Sequence, residues 1–277
     1  MNNDMKNPFE GKRVIFVPDD NDLENADGVC GHLEIVGDVD IKFSFYEDII
    51  KRGLGTVFSL VGLVLVSPIL IATSVAIWLD DPGPVIFAQK RIGKNKKYFK
   101  LYKFRSMKMS TPHDRPTHML DNPEQYITKV GKFIRAHSID ELPQIYNCLK
   151  GDMSLVGPRP ALWNQDVLIA ERDRYNANDI CPGITGWAQI NGRDTIEIIE
   201  KARLDGEYVK NISLLFDIKC LLGTVLKTIK DDTLVEGGTG QMRKIGGGAR
   251  RNNPFVLQCF SADTIMCCFA QLEQEAA

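Results

Sequence analysis

The sequence lacks the marks of several large protein classes. Its seven cysteines include no Cys-x-x-Cys pair and no Cys/His cluster at zinc spacing, so neither a disulfide framework nor a structural zinc is indicated, and reduced, mostly buried thiols are expected. Histidine is scarce, and His113, His118 and His137 form no metal-ligand pattern. Net charge is only -2, from 34 basic and 36 acidic residues, which argues against nucleic-acid binding as the main business. The first fifty residues are polar and acidic with no early apolar core, so no secretory signal is read there. Above all, charge is missing from Gly53 to Leu79, 27 residues in succession. Crossing a hydrocarbon core takes roughly 20 apolar residues, so this stretch is expected to be a membrane element.

What is present, 277 residues with 44% hydrophobic content, suits a folded chain with one sizeable core or two small ones. Two β-type runs, Arg13–Val17 and Leu33–Val36, suggest a small two-stranded decoration of open role. The apolar stretch has three readings: a buried helix of a soluble domain, a spanning helix, or a helix that enters the membrane and returns. Ser67-Pro68 lies at its midpoint, where proline removes a backbone hydrogen bond and serine can cap the freed carbonyl, bending the helix. Cations flank both ends, Lys51 and Arg52 before, and Lys90, Arg91, Lys94, Lys96 and Lys97 after. Positive flanks favour the cytoplasmic side, so a re-entrant helix broken at Ser67 and Pro68 is expected. Beyond it, Val85–Phe87 and the alternating Phe99–Phe104 suggest a β-hairpin. Residues 111–134 are polar and proline-broken, a loop. Ala161–Ala177 has helical spacing with alternating charge and reads as a solvated helix, while Ile196–Val209 and the amphipathic Leu214–Ile229 read as two more helices.

Chemistry concentrates between Arg135 and Pro160. Asp140 and Glu141 stand together before Pro143 and the apolar run Gln144–Leu149, at or near a helix N-terminus, and Ser138-x-x-Glu141 has capping-box spacing. Successive helical residues point about 100° apart, so two adjacent carboxylates can divide labour around a phosphate, one holding a metal while the other attacks. Gly157-Pro-Arg159-Pro160 fixes the backbone on both sides of an arginine, a mount that suits a guanidinium meeting phosphate oxygens. Trp187, Gln189, Asn191 and Arg193 place a ring, amides and a cation in a turn-rich segment that suits nucleotide or sugar recognition as well as ordinary packing.

These blocks come in a fixed order: Lys51-Arg52, Ser67-Pro68, Gly83–Gly93, Tyr102–Met107, Ser138–Pro143, Lys150–Pro160, Pro182–Arg193 and Tyr208–Ser213. From about Lys51 to Lys244 the chain resembles the bacterial monotopic polyprenol-phosphate phosphoglycosyl transferases, the initiating sugar transferases of glycoconjugate assembly. The resemblance implies a UDP-sugar donor, a polyprenyl phosphate acceptor, Mg2+, and a site on the cytoplasmic face of the bacterial inner membrane. It implies Asp140, Glu141 and Arg159 as catalytic, with Glu141 on the metal, and Lys103, Arg105, Arg135, Arg193 and Asp217 around the substrates. Cys181 departs from a position that is commonly basic in the family. Neither residues 1–48 nor the tail after about residue 245 shares the resemblance.

The expected fold is α+β, mostly helical with a small hairpin. Residues 1–48 form an extension, 49–80 a re-entrant membrane helix, 81–244 a catalytic domain and 245–277 a tail; a homo-oligomer is compatible with the sequence. The implied reaction moves a phosphosugar through an aspartyl intermediate and releases UMP. Two rivals predict otherwise: a lipid-binding scaffold releases no nucleotide, and a transferase that moves the sugar alone releases UDP.

Overall fold

The first strands of the chain, β1 (Lys12–Pro18) and β2 (Gly31–Asp38), form an antiparallel hairpin. A turn of π-helix, Phe45–Lys51, leads into the long apolar helix α1 (Arg52–Asp80). Next come the antiparallel pair β3 (Ile86–Ile92) and β4 (Tyr98–Phe104), α2 (Lys129–Ala136), α3 (Gln144–Lys150), β5 (Ser154–Val156) and α4 (Asp166–Asp173). The last part holds β6 (Gly183–Thr185), α5 (Trp187–Asn191), α6 (Ile198–Lys210) and α7 (Leu214–Lys230). This computed structural model describes residues 6–19, 25–40, 44–111, 123–192 and 196–230, all within one compact unit of residues 1–239. Arg193, His113, His118 and the expected tail, with its three cysteines, lie outside the described residues. Among the described residues the architecture mixes helices with three two-stranded sheets.

Phe45 to Asp80 makes one helical run of 36 residues, about 54 Å at the α-helical rise and so longer than a hydrocarbon core is thick. Its most apolar stretch is only 11% buried, which removes the reading as a core helix of a soluble domain. Val64, Leu65 and Ile71 stand 66–72% exposed. Pro68 lies inside α1 and has no N–H for the Val64 carbonyl; the Ser67 hydroxyl donates to that oxygen at 2.7 Å instead. The two flanks of the helix meet the same body. On the first, Lys94 of the β3–β4 turn pairs with Asp48 at 2.8 Å and Glu47 at 3.3 Å. On the second, Asp80 accepts from the Val130 N–H and Asp81 from the Met109 N–H, while Ile77 packs with Phe104 and Ile134.

The expected hairpin pairs in full, Ile86 opposite Phe104 through Ile92 opposite Tyr98. Two expectations fail. Residues 129–134, the last part of the segment read as loop, belong to α2: the Thr128 hydroxyl caps it by accepting from the Gly131 N–H. Gly131 hides the helix from propensity, yet a Cβ there would come within 2.0 Å of the Ser106 carbonyl oxygen. The second failure is α4, shorter than expected and not solvated. Leu168, Ile169 and Ala170 are buried with Val14, Ile92 and Ala161, and the charges beside them pair inward. Arg172 pairs with Asp205 at 2.6 Å.

Asp173 is the junction between the N-terminal hairpin and the rest. It accepts from the fully buried Lys96 ammonium at 2.8 and 2.9 Å, from the Val14 N–H at 2.8 Å and from Asn178 at 2.6 Å. Removing one member of a buried pair strands the other charge. Asp173→Ala is therefore expected to cost about 3–5 kcal/mol in denaturant unfolding and to expose the hairpin to limited proteolysis. A loss under about 0.5 kcal/mol, the size of a neutral surface change, would show that Asp173 is not the junction.

Candidate active site

Asn147 brings the two halves of the site together. Its fully buried amide donates to the Lys100 carbonyl at 2.7 Å and accepts from the Tyr102 N–H at 3.0 Å, so α3 is latched to the edge of β4. One residue beyond this latch in β4 is Lys103; six before it, on a 3-10 turn of Ile139–Glu141, is Glu141. The Lys103 ammonium donates to Glu141 Oε1 at 2.5 Å, and the Arg159 guanidinium donates to the same oxygen at 2.9 Å. Burial pushes the Glu141 carboxyl up, but Arg159 and then Lys103 outweigh it and hold the group well below the usual carboxylate range. Glu141 is thus an ionised anchor between two cations.

The capping-box reading of this turn does not hold. Ser138 sits in the left-handed region at φ 54° and its side chain makes no cap bond, while Glu141 reaches the two cations instead. Asp140 is buried, with Oδ1 lacking any hydrogen-bond partner. Burial raises its carboxyl above the ordinary 3.8; Lys103 pulls it down, the Glu141 charge pushes it up again, and Arg135 opposes that, with a net rise. The two acids are therefore set apart, one clamped and one desolvated with an unengaged oxygen, the division expected of groups with different tasks.

Arg159 owes its place to close backbone packing. β5 and β6 run parallel, with Ser154 opposite Gly183 and Val156 opposite Thr185. Gly157 donates to the Thr185 carbonyl and Gly183 to the Pro158 carbonyl. A Cβ on Gly183 would stand 2.1 Å from the Gly157 nitrogen, so both strands need glycine at this crossing. The far side of the turn is held by Arg91, which donates to the Pro160 carbonyl at 2.9 Å and to the Gln89 side chain. Sequence reading took Arg91 only as one of the cations flanking the apolar helix; the signal for its part in the site was Gln89-x-Arg91, two polar groups on one face of a strand.

The other expected residues are distributed as follows. Arg135, in the last turn of α2, lies within electrostatic reach of Asp140. Arg105 follows the end of β4, escapes the alternation that would place it beside Lys103, and turns to the Asp81 carbonyl at the end of α1. Asp217 is buried in the first turn of α7, bonded to Tyr46, Lys51 and Tyr208 rather than to the dyad. Cys148 and Cys220 are buried thiols, and Cys30 and Cys181 are partly so.

A hard cation such as Mg2+ takes oxygen ligands, commonly one or two carboxylates plus substrate phosphates and water. Among the described residues no group of three or more His, Cys, Asp or Glu gathers, so these offer no closed cage. The dyad offers what a shared site needs: both clamping cations take Glu141 Oε1, and Asp140 Oδ1 is buried without a partner. That donor set fits Mg2+ arriving with a diphosphate.

The chain is similar in sequence to several bacterial sugar transferases. A UDP-glucose:undecaprenyl-phosphate glucose-1-phosphate transferase of Escherichia coli (strain K12) is 38% identical over 234 residues, covering 77% of this chain and 48% of that protein. A UDP-N-acetylgalactosamine-undecaprenyl-phosphate N-acetylgalactosaminephosphotransferase of Aeromonas hydrophila is 41% identical over 184 residues, covering 64% and 43%. An uncharacterised sugar transferase of Bacillus subtilis (strain 168) is 43% identical over 181 residues, covering 65% and 88%. The chain spans about half the length of the first two relatives. Residues 46–231, from the foot of the apolar helix through the dyad turn and the Arg159 mount to the last helix, match the family described as bacterial sugar transferase, and the chain belongs to that family.

Proposed function

We propose that this protein transfers a phosphosugar from a UDP-sugar to a membrane polyprenyl phosphate, through a covalent intermediate on Asp140. The observation that carries the reading is the split dyad: Glu141 clamped by Lys103 and Arg159, and beside it Asp140, buried with an unengaged oxygen. The names of the relatives, which specify UDP-sugars and undecaprenyl phosphate, support the donor and acceptor classes.

In the first step the Asp140 carboxylate attacks the sugar-bearing phosphorus. The new bond is an acyl phosphate; the bond that breaks is the phosphoanhydride, and its bridging oxygen leaves with UMP. In the second, an oxygen of polyprenyl phosphate attacks the same phosphorus and the Asp140 carboxylate departs, giving a sugar diphosphate lipid and the starting enzyme. Arg159 and Lys103, fixed on Glu141, present positive charge where the transferred group becomes more negative, and Arg135 adds to it. Mg2+, when bound by Glu141 together with the donor diphosphate, would supply charge neutralisation and orientation. A scaffold whose acids only cap helices would not need Glu141 between two cations. A transferase releasing UDP would have no use for a carboxylate aimed at phosphorus.

The same reading places the site at a membrane. The long helix is re-entrant, with Ser67 and Pro68 at its turning point and both flanks on the cytoplasmic side. Support comes from the contacts that hold each flank to the same body, the Lys94 pairs to Asp48 and Glu47 at the first and the Asp80 and Asp81 bonds to Val130 and Met109 at the second, and from the exposed apolar residues on either side of Pro68. The apolar face of α7 is exposed at Leu215, Ile218, Leu222, Val225 and Leu226, and suits a helix lying on the same interface.

Three results are expected. Incubated with a panel of UDP-sugars and polyprenyl phosphate, the wild type releases UMP with its proper donor, whereas Asp140→Asn folds and releases none; UMP release by the asparagine variant at near wild-type rate would refute the covalent step. The rate of UMP release rises with pH through the raised Asp140 value, since only the carboxylate attacks, so the acid limb lies above 3.8. Lys103→Met removes a charge that lowers that value and should move the limb to higher pH; a limb that stays put would separate Lys103 from Asp140. For topology, cysteines replacing Glu10 and Lys100 in a background without native cysteines should both be shielded from an impermeant thiol reagent in intact cells. Labelling of the first alone would establish a spanning helix.

A further inference from the structure

Four titratable side chains, three of them buried and Tyr46 half-buried, are bonded together at the foot of the apolar helix. Lys51, the residue before α1, donates to the Tyr208 hydroxyl and lies 3.1 Å from Asp217 Oδ2. Tyr46, one turn earlier, donates to Asp217 Oδ2 at 2.8 Å, and Tyr208 donates to Asp217 Oδ1 at 2.5 Å. Lys51 and Asp217 are under a tenth exposed, and Tyr208 is 1% exposed. Burial first, and then the Asp217 charge, push the Tyr208 hydroxyl up, so it stays a donor. The Tyr208 oxygen lies 3.4 Å from the carbonyl of Val156. Val156 immediately precedes Gly157-Pro-Arg159, the turn that carries the cation on Glu141.

We propose that Lys51 is a positioning residue: through Asp217 and Tyr208 it sets the foot of the membrane helix against the Arg159 turn, and so sets the depth at which a lipid phosphate meets the phosphosugar on Asp140. The inference rests on the reaction proposed above. A buried ion pair adds little net stability compared with apolar packing, but it fixes geometry, because each charge must find the other. Here the pair joins the helix that would hold the lipid to the end of α6 and the start of α7, which pack on the β5 strand. A soluble donor reaches the dyad without using this joint. A lipid acceptor, held at the depth the helix dictates, does not.

The test separates the two half-reactions in the full chain, reconstituted in lipid nanodiscs. Lys51→Met should leave the burst of UMP released from donor alone within about twofold of wild type, while transfer to polyprenyl phosphate falls about ten- to a hundredfold, as for a small misplacement of a reacting group. KM for the acceptor should rise and KM for the donor should not, and Lys51→Arg should recover part of the transfer. Tyr208→Phe, which keeps the packing, should show the same split in a smaller degree and decides the matter if Lys51→Met does not fold. Equal losses in both half-reactions, or transfer unchanged, would overturn the assignment. A wild type that releases no UMP from any donor would overturn the functional reading itself, and this inference with it.

Discussion

Glu141 held between Lys103 and Arg159 is the contact on which the rest of the site depends. Three segments far apart in sequence converge on one carboxylate oxygen: the β4 strand, the turn before α3, and the Gly157–Pro160 turn. Each cation alone would be a flexible side chain. Fixed on a common anion they become a preorganised pair, and the electrostatic value of such a pair lies in costing no rearrangement when charge develops on a bound phosphate. The clamp also acts on its neighbour: Lys103 lowers the Asp140 carboxyl and the Glu141 charge raises it, so the ionisation of the proposed nucleophile is tuned by the residues proposed to hold its substrate.

The clamp in turn relies on a scaffold built to hold backbone against backbone. Asn147 does for β4 what a third strand would do, satisfying the Lys100 carbonyl and the Tyr102 N–H from a side chain. The glycine crossing of β5 and β6 brings the arginine turn within reach. Around this sits the apolar helix, tied at its foot through Lys94 and the Lys51 cluster and at its far end through Asp80 and Asp81. A site fastened to both ends of this apolar helix has its position along the helix fixed by covalent and ionic constraints together.

Much of this was legible in the sequence because it is local. The charge-free run, the alternation in β4, the amphipathic pattern of α7 and the paired carboxylates before Pro143 all announce themselves within a few residues. What failed was long-range. The charges on α4 looked solvated because their partners, Asp205 for Arg172 and Lys96 for Asp173, lie 33 and 77 residues away. The capping box looked plausible until the positive φ of Ser138 turned its hydroxyl away. Arg105 and Lys103 are two apart in sequence, yet the strand ends between them, and only Lys103 reaches the dyad. Nothing in the N-terminal segment announces that Val14 and Arg13 close over Asp173 and Asp179, because such a junction is a property of the folded chain.

The central claim is that Asp140 itself carries the phosphosugar between donor and lipid. The most direct measurement is mass spectrometry of the protein quenched after mixing with its UDP-sugar in the absence of any lipid acceptor. The account predicts a phosphosugar adduct that maps to the peptide containing Asp140, forms together with UMP, and disappears when polyprenyl phosphate is added. UMP released only when the lipid is present, with no adduct at any time, would contradict it and point to direct transfer between the two substrates.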